Sequence, residues 1–442
     1  MARISEERIV RDSMKFDDLV VQYKKMIEDL QLKFPVSDGS KFATEVNFKN
    51  NRSVAKHNWF DYKHGYSEAL VSSIIQHNSP SKNNYILDPY CGVGTTNLAA
   101  QSLGYKSIGF DINPVAILAA SVKCALYSIE DKAEIASLID RFKAPCPFVL
   151  PVVGKVIISS FREEDLNAIL RIRTFVEEIK ANEKISNFFR LAYLSIIERC
   201  STRSKDGNGL KFNPKKKPVV DIFQFYLDKC KLMFGELSDS NHEIEPNFHH
   251  SSLTKFAETT SKYNSQVALA IYSPPYANCF DYCEVYKLEL WLGGYVKSYE
   301  DFALYRDVAM RSHVNSKFDH TFTFLDDKVD LTANLISTMN IWNKNIPDMI
   351  RGYFDDTQQL LKGMHKMLMV GGKAYIVVAN SGYKGVLVPT DLFIADIASN
   401  VGYKVNTILY ARKIRASSQQ MDILHNDYEK MMRETVIEIE KY

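Results

Sequence analysis

Two hydrophobic rhythms run along the chain. Over residues 16–34, Leu19, Tyr23, Met26, Ile27 and Leu30 recur at helical spacing and predict one amphipathic helix, a packing arm. Residues 67–76 predict another. An apolar run then starts at Tyr85, turns at Asp88 and passes Gly92 and Gly94 into an Ala-rich stretch, 97–103. That is a strand, a tight turn and a helix start. A second strand, 107–110, ends in Asp111, and a helix follows over 115–127. From 128 to 245 the helical rhythm dominates, with helices predicted over 129–142, 162–180, 185–199 and 220–237.

The strand rhythm returns at Val267. Residues 267–272 are apolar without interruption, as in a central parallel strand buried on both faces. A helix is predicted over 283–292. Residues 293–354 are mixed and polar, carrying Arg306, Arg311, His313 and Lys317, and read as a second insertion. A helix over 357–369 is expected to stop at Gly371-Gly372. A strand over 373–379, a polar turn over 380–385 and a helix over 389–401 stopping at Gly402 follow. Strands over 404–411 and 434–440 are expected to form an antiparallel hairpin at the sheet edge, joined by a polar loop over 412–420. The fold class is α/β.

Composition narrows the picture. No run of about 18 apolar residues occurs, so no membrane span is expected. The charged first dozen residues carry no signal-peptide core. Seven cysteines without CxxC pairs argue against a disulfide framework or a zinc site and for a reducing cytoplasm. Cys279 and Cys283, four apart, lack the further ligands a metal needs. The net charge of +2 means that any nucleic-acid face must come from local charge.

Candidate chemistry sits at the strand ends. Gly92 and Gly94 let the backbone turn sharply and let a ligand approach. The N–H groups of the helix start, with Thr95 and Thr96, favour a polar or anionic group. Asp111, about 20 residues after the turn, stands where nucleotide-binding α/β folds place a ribose-hydroxyl acceptor. Before the first strand, Trp59, Phe60, Tyr62 and Lys63 crowd a short segment that reads as a hydrophobic plug and as one wall of the ligand pocket. Ser273-Pro274-Pro275-Tyr276 follows the apolar strand. Two prolines stiffen the chain there, between a hydroxyl and an aromatic ring. The segment 201–217 carries six cations against one acid and reads as a loop able to track a phosphate backbone.

Asp88-Pro89-Tyr90-Cys91-Gly92-Val93-Gly94-Thr95-Thr96 resembles the DPFCGSGTT motif of S-adenosylmethionine-dependent DNA amino-methyltransferases. Ser273-Pro274-Pro275-Tyr276 resembles their catalytic (S/T/D/N)PP(Y/F) motif, and the run from 273 to 292 resembles members with SPPYxNxxDYxxxxKLELWxLG. Phe110-Asp111-Ile112-Asn113-Pro114 is similar to the segment that holds the cofactor ribose. The 59–66 segment is similar to their pocket-closing motif. The resemblance covers about half the chain.

It implies a Rossmann-like class I methyltransferase sheet with a large helical insertion between the second and third strands. The implied cofactor is S-adenosyl-L-methionine, held by Trp59, Phe60, Tyr62, Lys63, Asp88, Pro89, Tyr90, Cys91, Gly92, Gly94, Thr95, Thr96, Asp111, Ile112 and Asn113. The implied reaction is methylation of a flipped base's exocyclic amine, with Ser273, Pro274, Pro275 and Tyr276 as the catalytic group. Serine at position 273 goes more often with N4 of cytosine than with N6 of adenine. An RNA base amine and a catalytically silent DNA-binding subunit are the alternatives. The implied partner is double-stranded DNA, in a restriction-modification or orphan system, with any cognate endonuclease acting outside a stable complex. Cys91 is misplaced for a C5-cytosine nucleophile.

Two departures stand out. Phe248-His249-His250-Ser251-Ser252-Leu253 carries His and Ser where many members supply an acid near the cofactor adenine. No separate recognition domain is expected after the last strand. The expected organisation is an arm (1–49), core (50–114), helical insertion (115–245), catalytic core (246–292), second insertion (293–354) and C-terminal core (355–442). DNA contact is expected mainly from Arg203, Lys205, Lys211, Lys215, Lys216 and Lys217, with 293–354 and 412–415 as lesser candidates.

Overall fold

The computed structural model describes residues 16–63, 65–143, 148, 153–206, 209–237, 244–252, 260–316, 318, 322–414 and 426–442. His64, Leu253, Lys317 and 415–420 lie outside the described residues, as does the chain before Phe16. In chain order the strands are β1 (Val36–Asp38), β2 (Tyr85–Asp88), β3 (Lys106–Asp111), β4 (Arg203–Asp206), β5 (Gly209–Phe212), β6 (Asn247–His250) and β7 (Val267–Tyr272). They continue with β8 (Leu368–Ala379), β9 (Ser381–Tyr383), β10 (Val386–Val388), β11 (Tyr403–Lys413) and β12 (Arg433–Lys441). The chain forms two compact units of α/β character. One takes the described residues of Met1–Val46, Leu253–Phe280 and Ala309–Tyr442, the other those of Asn47–Ser252 and Asp281–Val308.

In the second of these units β2, β3 and β6 run parallel, with Asp88 opposite Gly109 and Asp111 opposite His250. Helices Thr95–Ser102 and Pro114–Cys124 follow β2 and β3. The predicted helical stretch is present between β3 and β6. Its central member, Glu183–Cys200, buries Ile185, Phe188, Phe189, Leu191, Leu194 and Ile197, so apolar residues face nearly all round it. Asn182 caps that helix, and Ser128 with Asp131 forms a capping box on Ile129–Asp140.

Two expectations change in this unit. The 201–217 segment is not a loop throughout: β4 and β5 pair antiparallel from Arg203↔Phe212 to Asp206↔Gly209. The helix expected over 283–292 is two pieces, Tyr282–Val285 and Lys287–Leu292. The break falls at Tyr286, whose ring stacks on Tyr62 and whose hydroxyl accepts from the Lys63 N–H.

In the other unit the strand order is β1-β11-β12-β8-β7. β7 occupies the residues predicted from its apolar run and lies parallel to β8. β11 and β12 are antiparallel neighbours as expected, but not at the edge. β12 lies between β11 and β8, and β1 pairs parallel with the outer side of β11. The arm helix, Phe16–Lys33, buries the five residues its pattern picked out.

Gly371-Gly372 does not stop a helix. The helix Ile346–Met367 ends earlier, and the glycines lie inside β8, where the pairing jumps from Val267↔Leu368 to Leu269↔Lys373. Gly371 has φ +76° and absorbs that irregularity. The helix also starts 11 residues before the predicted 357, within what the sequence marks as an insertion. Its first turns are rich in charge, but those charges are buried in pairs: Arg351 with Asp330 at 2.7 Å, and Asp355 and Asp356 with Arg311 at 2.6 and 2.7 Å. The polar turn over 380–385 is the hairpin β9–β10. Helix Thr390–Val401 ends at Gly402 with φ +110°, as its glycine predicted. Among the described residues no helix is long and apolar enough to cross a membrane.

Candidate active site

The glycine turn is fixed from below by two aspartates. Asp88 ends β2 and is buried. Its carboxylate accepts from the Tyr66 hydroxyl at 2.7 Å and the Tyr90 N–H at 3.0 Å. The Tyr66 oxygen also lies 2.6 Å from Thr96 Oγ1, so one phenol ties the strand end to the helix start. Asp111 ends β3 and accepts from the Gly92 N–H at 2.9 Å and the Asn113 N–H at 2.8 Å. Asn113 in turn caps the helix that begins at Pro114. Gly92 and Gly94 have φ +49° and +79°. Pro89, Cys91 and Thr95 are buried in the turn, and Ile112 is half-buried. Burial pushes the Cys91 thiol well up, which removes it as a thiolate nucleophile. Lys123, wholly buried, donates to the Val93 carbonyl at 3.3 Å from beneath the turn.

The aromatic segment divides in two. Trp59 is 0% exposed, and its indole N–H donates to Glu236 Oε2 at 2.7 Å. The same carboxylate takes the Lys56 N–H and the Asn58 amide, at 2.6 and 2.9 Å. Trp59 and Phe60 are both buried in this unit, at 0% and 3% exposed, as the plug side of the sequence reading expects. Tyr62 is the one of the four whose ring lies against the turn. It stacks on Tyr286, centroids 5.1 Å apart, and a Cβ on Gly92 would sit 2.9 Å from its ring. Tyr66, Lys123, Glu236 and Tyr286 were not among the sequence candidates. Tyr66 and Tyr286 stood inside the quoted motifs; Lys123 and Glu236 carried no local signal.

β6 places the His-Ser segment beside Asp111. His249 stacks on Phe110 at 4.8 Å, and His250 Nε2 lies 2.8 Å from the Ile112 carbonyl oxygen. The cation-rich hairpin is less available than its charge suggests. Lys205 is buried against Glu289 and lies over the Tyr286 ring at 4.1 Å. Lys216 folds back onto Glu198 and the Arg203 carbonyl, and Arg203 Nε donates to Ser160 Oγ at 2.8 Å. Lys211, Lys215 and Lys217 are exposed.

In the other unit, Ser273 to Tyr276 leaves the end of β7. Pro274 is buried; Ser273, Pro275 and Tyr276 are half-buried. The Tyr276 hydroxyl donates to Glu434 Oε1 at 2.7 Å and lies 3.4 Å from Ser273 Oγ. Past the motif, the Ala277 carbonyl accepts from the Tyr383 hydroxyl at 2.7 Å, and Cys279 has φ +66°. Burial raises the Cys279 thiol to about 11.

The buried aspartates give this site a pH signature. Burial lifts Asp88 to about 7, opposed by the Tyr66 and Tyr90 hydrogen bonds, and lifts Asp111 to about 6. A carboxyl whose folded value exceeds its unfolded one contributes stability at low pH that is lost as pH rises through the folded value. Each pKa unit is worth about 1.4 kcal/mol. Denaturant unfolding of the free protein should therefore show this contribution declining between about pH 4 and pH 7. Asp88→Asn should flatten the decline; an unchanged slope would contradict the assignment.

Residues 8–121 match the family model described as DNA methylase, of N6/N4 type. The type II methyltransferase M.BsoBI of Geobacillus stearothermophilus is 26% identical, over 85% of this chain and 84% of that protein. The type II methyltransferase M.AvaI of Nostoc sp. (strain PCC 7120) is 25% identical, over 85% of each chain. Two motifs at strand ends, the family match over residues 8–121 and this distant homology converge on one likeness: the chain is similar to the N6/N4 DNA methylases, whose methyl donor is S-adenosylmethionine.

Proposed function

We propose that the protein is a sequence-specific DNA methyltransferase of a restriction-modification or orphan system, acting on the exocyclic amine of a flipped base, N4 of cytosine. Ser273 is the observation that carries the choice of base: it offers a neutral hydroxyl where a carboxylate or amide goes more often with adenine. Bound S-adenosylmethionine supplies an electrophilic methyl.

The chain's own residues do the rest. The glycine turn and the Thr95–Ser102 helix start hold the methionine end, and Asp111 accepts from the ribose. The residues present suit such a molecule: the turn carries no side chain at 92 and 94, and Asp111 stands half-buried beside it at the end of β3. Ser273 Oγ and the Pro274 carbonyl accept hydrogen bonds from the base amine, which directs its lone pair outward for attack. Pro275 holds the backbone, and Tyr276 offers a ring for the extruded base to stack on. Lys211, Lys215 and Lys217 contact phosphates.

Digestion of DNA incubated with protein and S-adenosylmethionine, followed by nucleoside mass spectrometry, should report 4-methylcytosine. A 6-methyladenine product would replace the base assignment. Methylation of tRNA with none on duplex DNA would sink the reading. Ser273→Ala should lower the rate about ten- to a hundredfold, the worth of about 1.5–3 kcal/mol for a hydrogen bond to a charging group. Cofactor binding should persist.

A further inference from the structure

We infer that Glu434 is a positioning residue for methyl transfer, acting through Tyr276 to set the direction of the hydrogen bonds at Ser273. The inference rests on the functional reading above. Glu434 stands on β12, opposite Ala379, and is 4% exposed. Both of its oxygens are engaged. Oε2 accepts from Arg412 Nε at 2.6 Å, and Oε1 accepts from the Tyr276 hydroxyl at 2.7 Å.

An ionised carboxylate only accepts, whereas a phenol has one proton to give. The bond to Glu434 therefore commits the Tyr276 proton to the carboxylate. Toward Ser273, 3.4 Å away, the phenol oxygen is left as an acceptor. The Ser273 proton then points to Tyr276, and the Ser273 lone pairs are left for the N–H of the base. Without the carboxylate the chain can reverse. Tyr276 would donate to Ser273, and the serine proton would point at the amine it has to receive. The 3.4 Å gap is long for O–H···O, and hydrogen bonds of this kind tighten when the reactants are bound. Through the same bond Glu434 also fixes the tilt of the ring offered to the base. No side chain of β12 belongs to the motifs from which the reaction was read, so this role comes from the fold alone.

The test is a double-mutant cycle on the full chain, with steady-state methylation of duplex DNA as readout. Glu434→Gln, whose amide can donate to Tyr276 as well as accept, should lower kcat about tenfold. KM for DNA and the Kd for S-adenosylmethionine should stay within about twofold. Tyr276→Phe should lower kcat similarly, and the double variant should be no slower than Tyr276→Phe alone. Glu438→Gln, on the same strand as Glu434, breaks the ion pair with Lys373 of β8; it controls for loosening of β12 and should leave kcat unchanged.

Multiplicative losses in the double variant would overturn the inference. So would full activity in Glu434→Gln, or an equal loss in Glu438→Gln. A wild-type protein that methylates no DNA would instead overturn the functional reading itself, a result distinct from an active enzyme with an additive cycle.

Discussion

Gly94→Ala is expected to abolish S-adenosylmethionine binding and to lower unfolding stability by about 2–5 kcal/mol. Two independent penalties add. Gly94 has φ +79°, and a left-handed backbone costs an L-residue about 1–2 kcal/mol. The new methyl would also lie 2.8 Å from Ala120 Cβ and 3.0 Å from Ala120 Cα. It would press against a buried helix, and overpacking of that kind costs about 1–3 kcal/mol. The turn can relieve either strain only by moving, and it is the turn that presents the helix N–H groups. Calorimetry with S-adenosylmethionine and denaturant unfolding would measure both effects. Gly209→Ala is the matched control, because its Cβ would meet nothing within 4 Å. Normal cofactor affinity in Gly94→Ala would mean that the turn is not the binding element.

The second large effect concerns Lys205, whose charge suggests a phosphate contact. Lys205→Ala is expected to destabilise its unit by about 3–5 kcal/mol, as removal of one partner of a buried pair does. Its side chain is 7% exposed and that of Glu289 is 2% exposed; Lys205 engages Oε1, and Glu289 Oε2 has no hydrogen-bond partner among the described residues. Burial already raises the Glu289 carboxyl, opposed by Lys205, so losing the ammonium leaves a charge with nothing to balance it. Lys205→Met with Glu289→Leu, which removes both charges, should recover most of the stability. Lys215→Ala with Lys217→Ala should behave in the opposite manner. Unfolding should be unchanged and DNA binding weaker, and the salt-dependence slope should fall by about one for each phosphate no longer neutralised. An ordinary melting point for Lys205→Ala, with weaker DNA binding, would restore it to the interface.

These outcomes mark where sequence was sufficient. β7 was legible to the residue because a strand covered on both faces needs an unbroken apolar run. The arm helix was legible because one face is buried and the other is wet. The glycine turn could be read because its backbone conformation excludes other residues. The first turns of Ile346–Met367 were not legible, because buried Arg351, Asp355 and Asp356 imitate a solvated surface until their partners on other segments are known. The Gly-Gly pair was misread for a related reason: a glycine that ends a helix and one that absorbs an irregularity in a strand look alike locally. The cations of β4–β5 show the same limit. Charge could be counted along the chain, but its availability depended on Glu198 in the preceding helix and on Ser160 and Glu289, far away in sequence. At the candidate site both motifs were visible, and Tyr66 lay within the quoted 59–66 segment, whereas two other residues that brace them, Lys123 and Glu434, were placed by topology.

The central position of β12 has a consequence during synthesis. β8 and β11 are made before it, and neither can complete its ladder until Arg433–Lys441 inserts between them. At about 5–20 residues per second, the stretch from Ala379 to Arg433 takes a few seconds to emerge. Through that interval β8, joined by β11 once Lys413 is made, presents an unpaired edge to other nascent chains, the configuration most prone to intermolecular pairing. Slow translation over residues 380–441 should therefore raise the aggregated fraction in cells more than the same slowing inside the helical stretch, where contacts close locally.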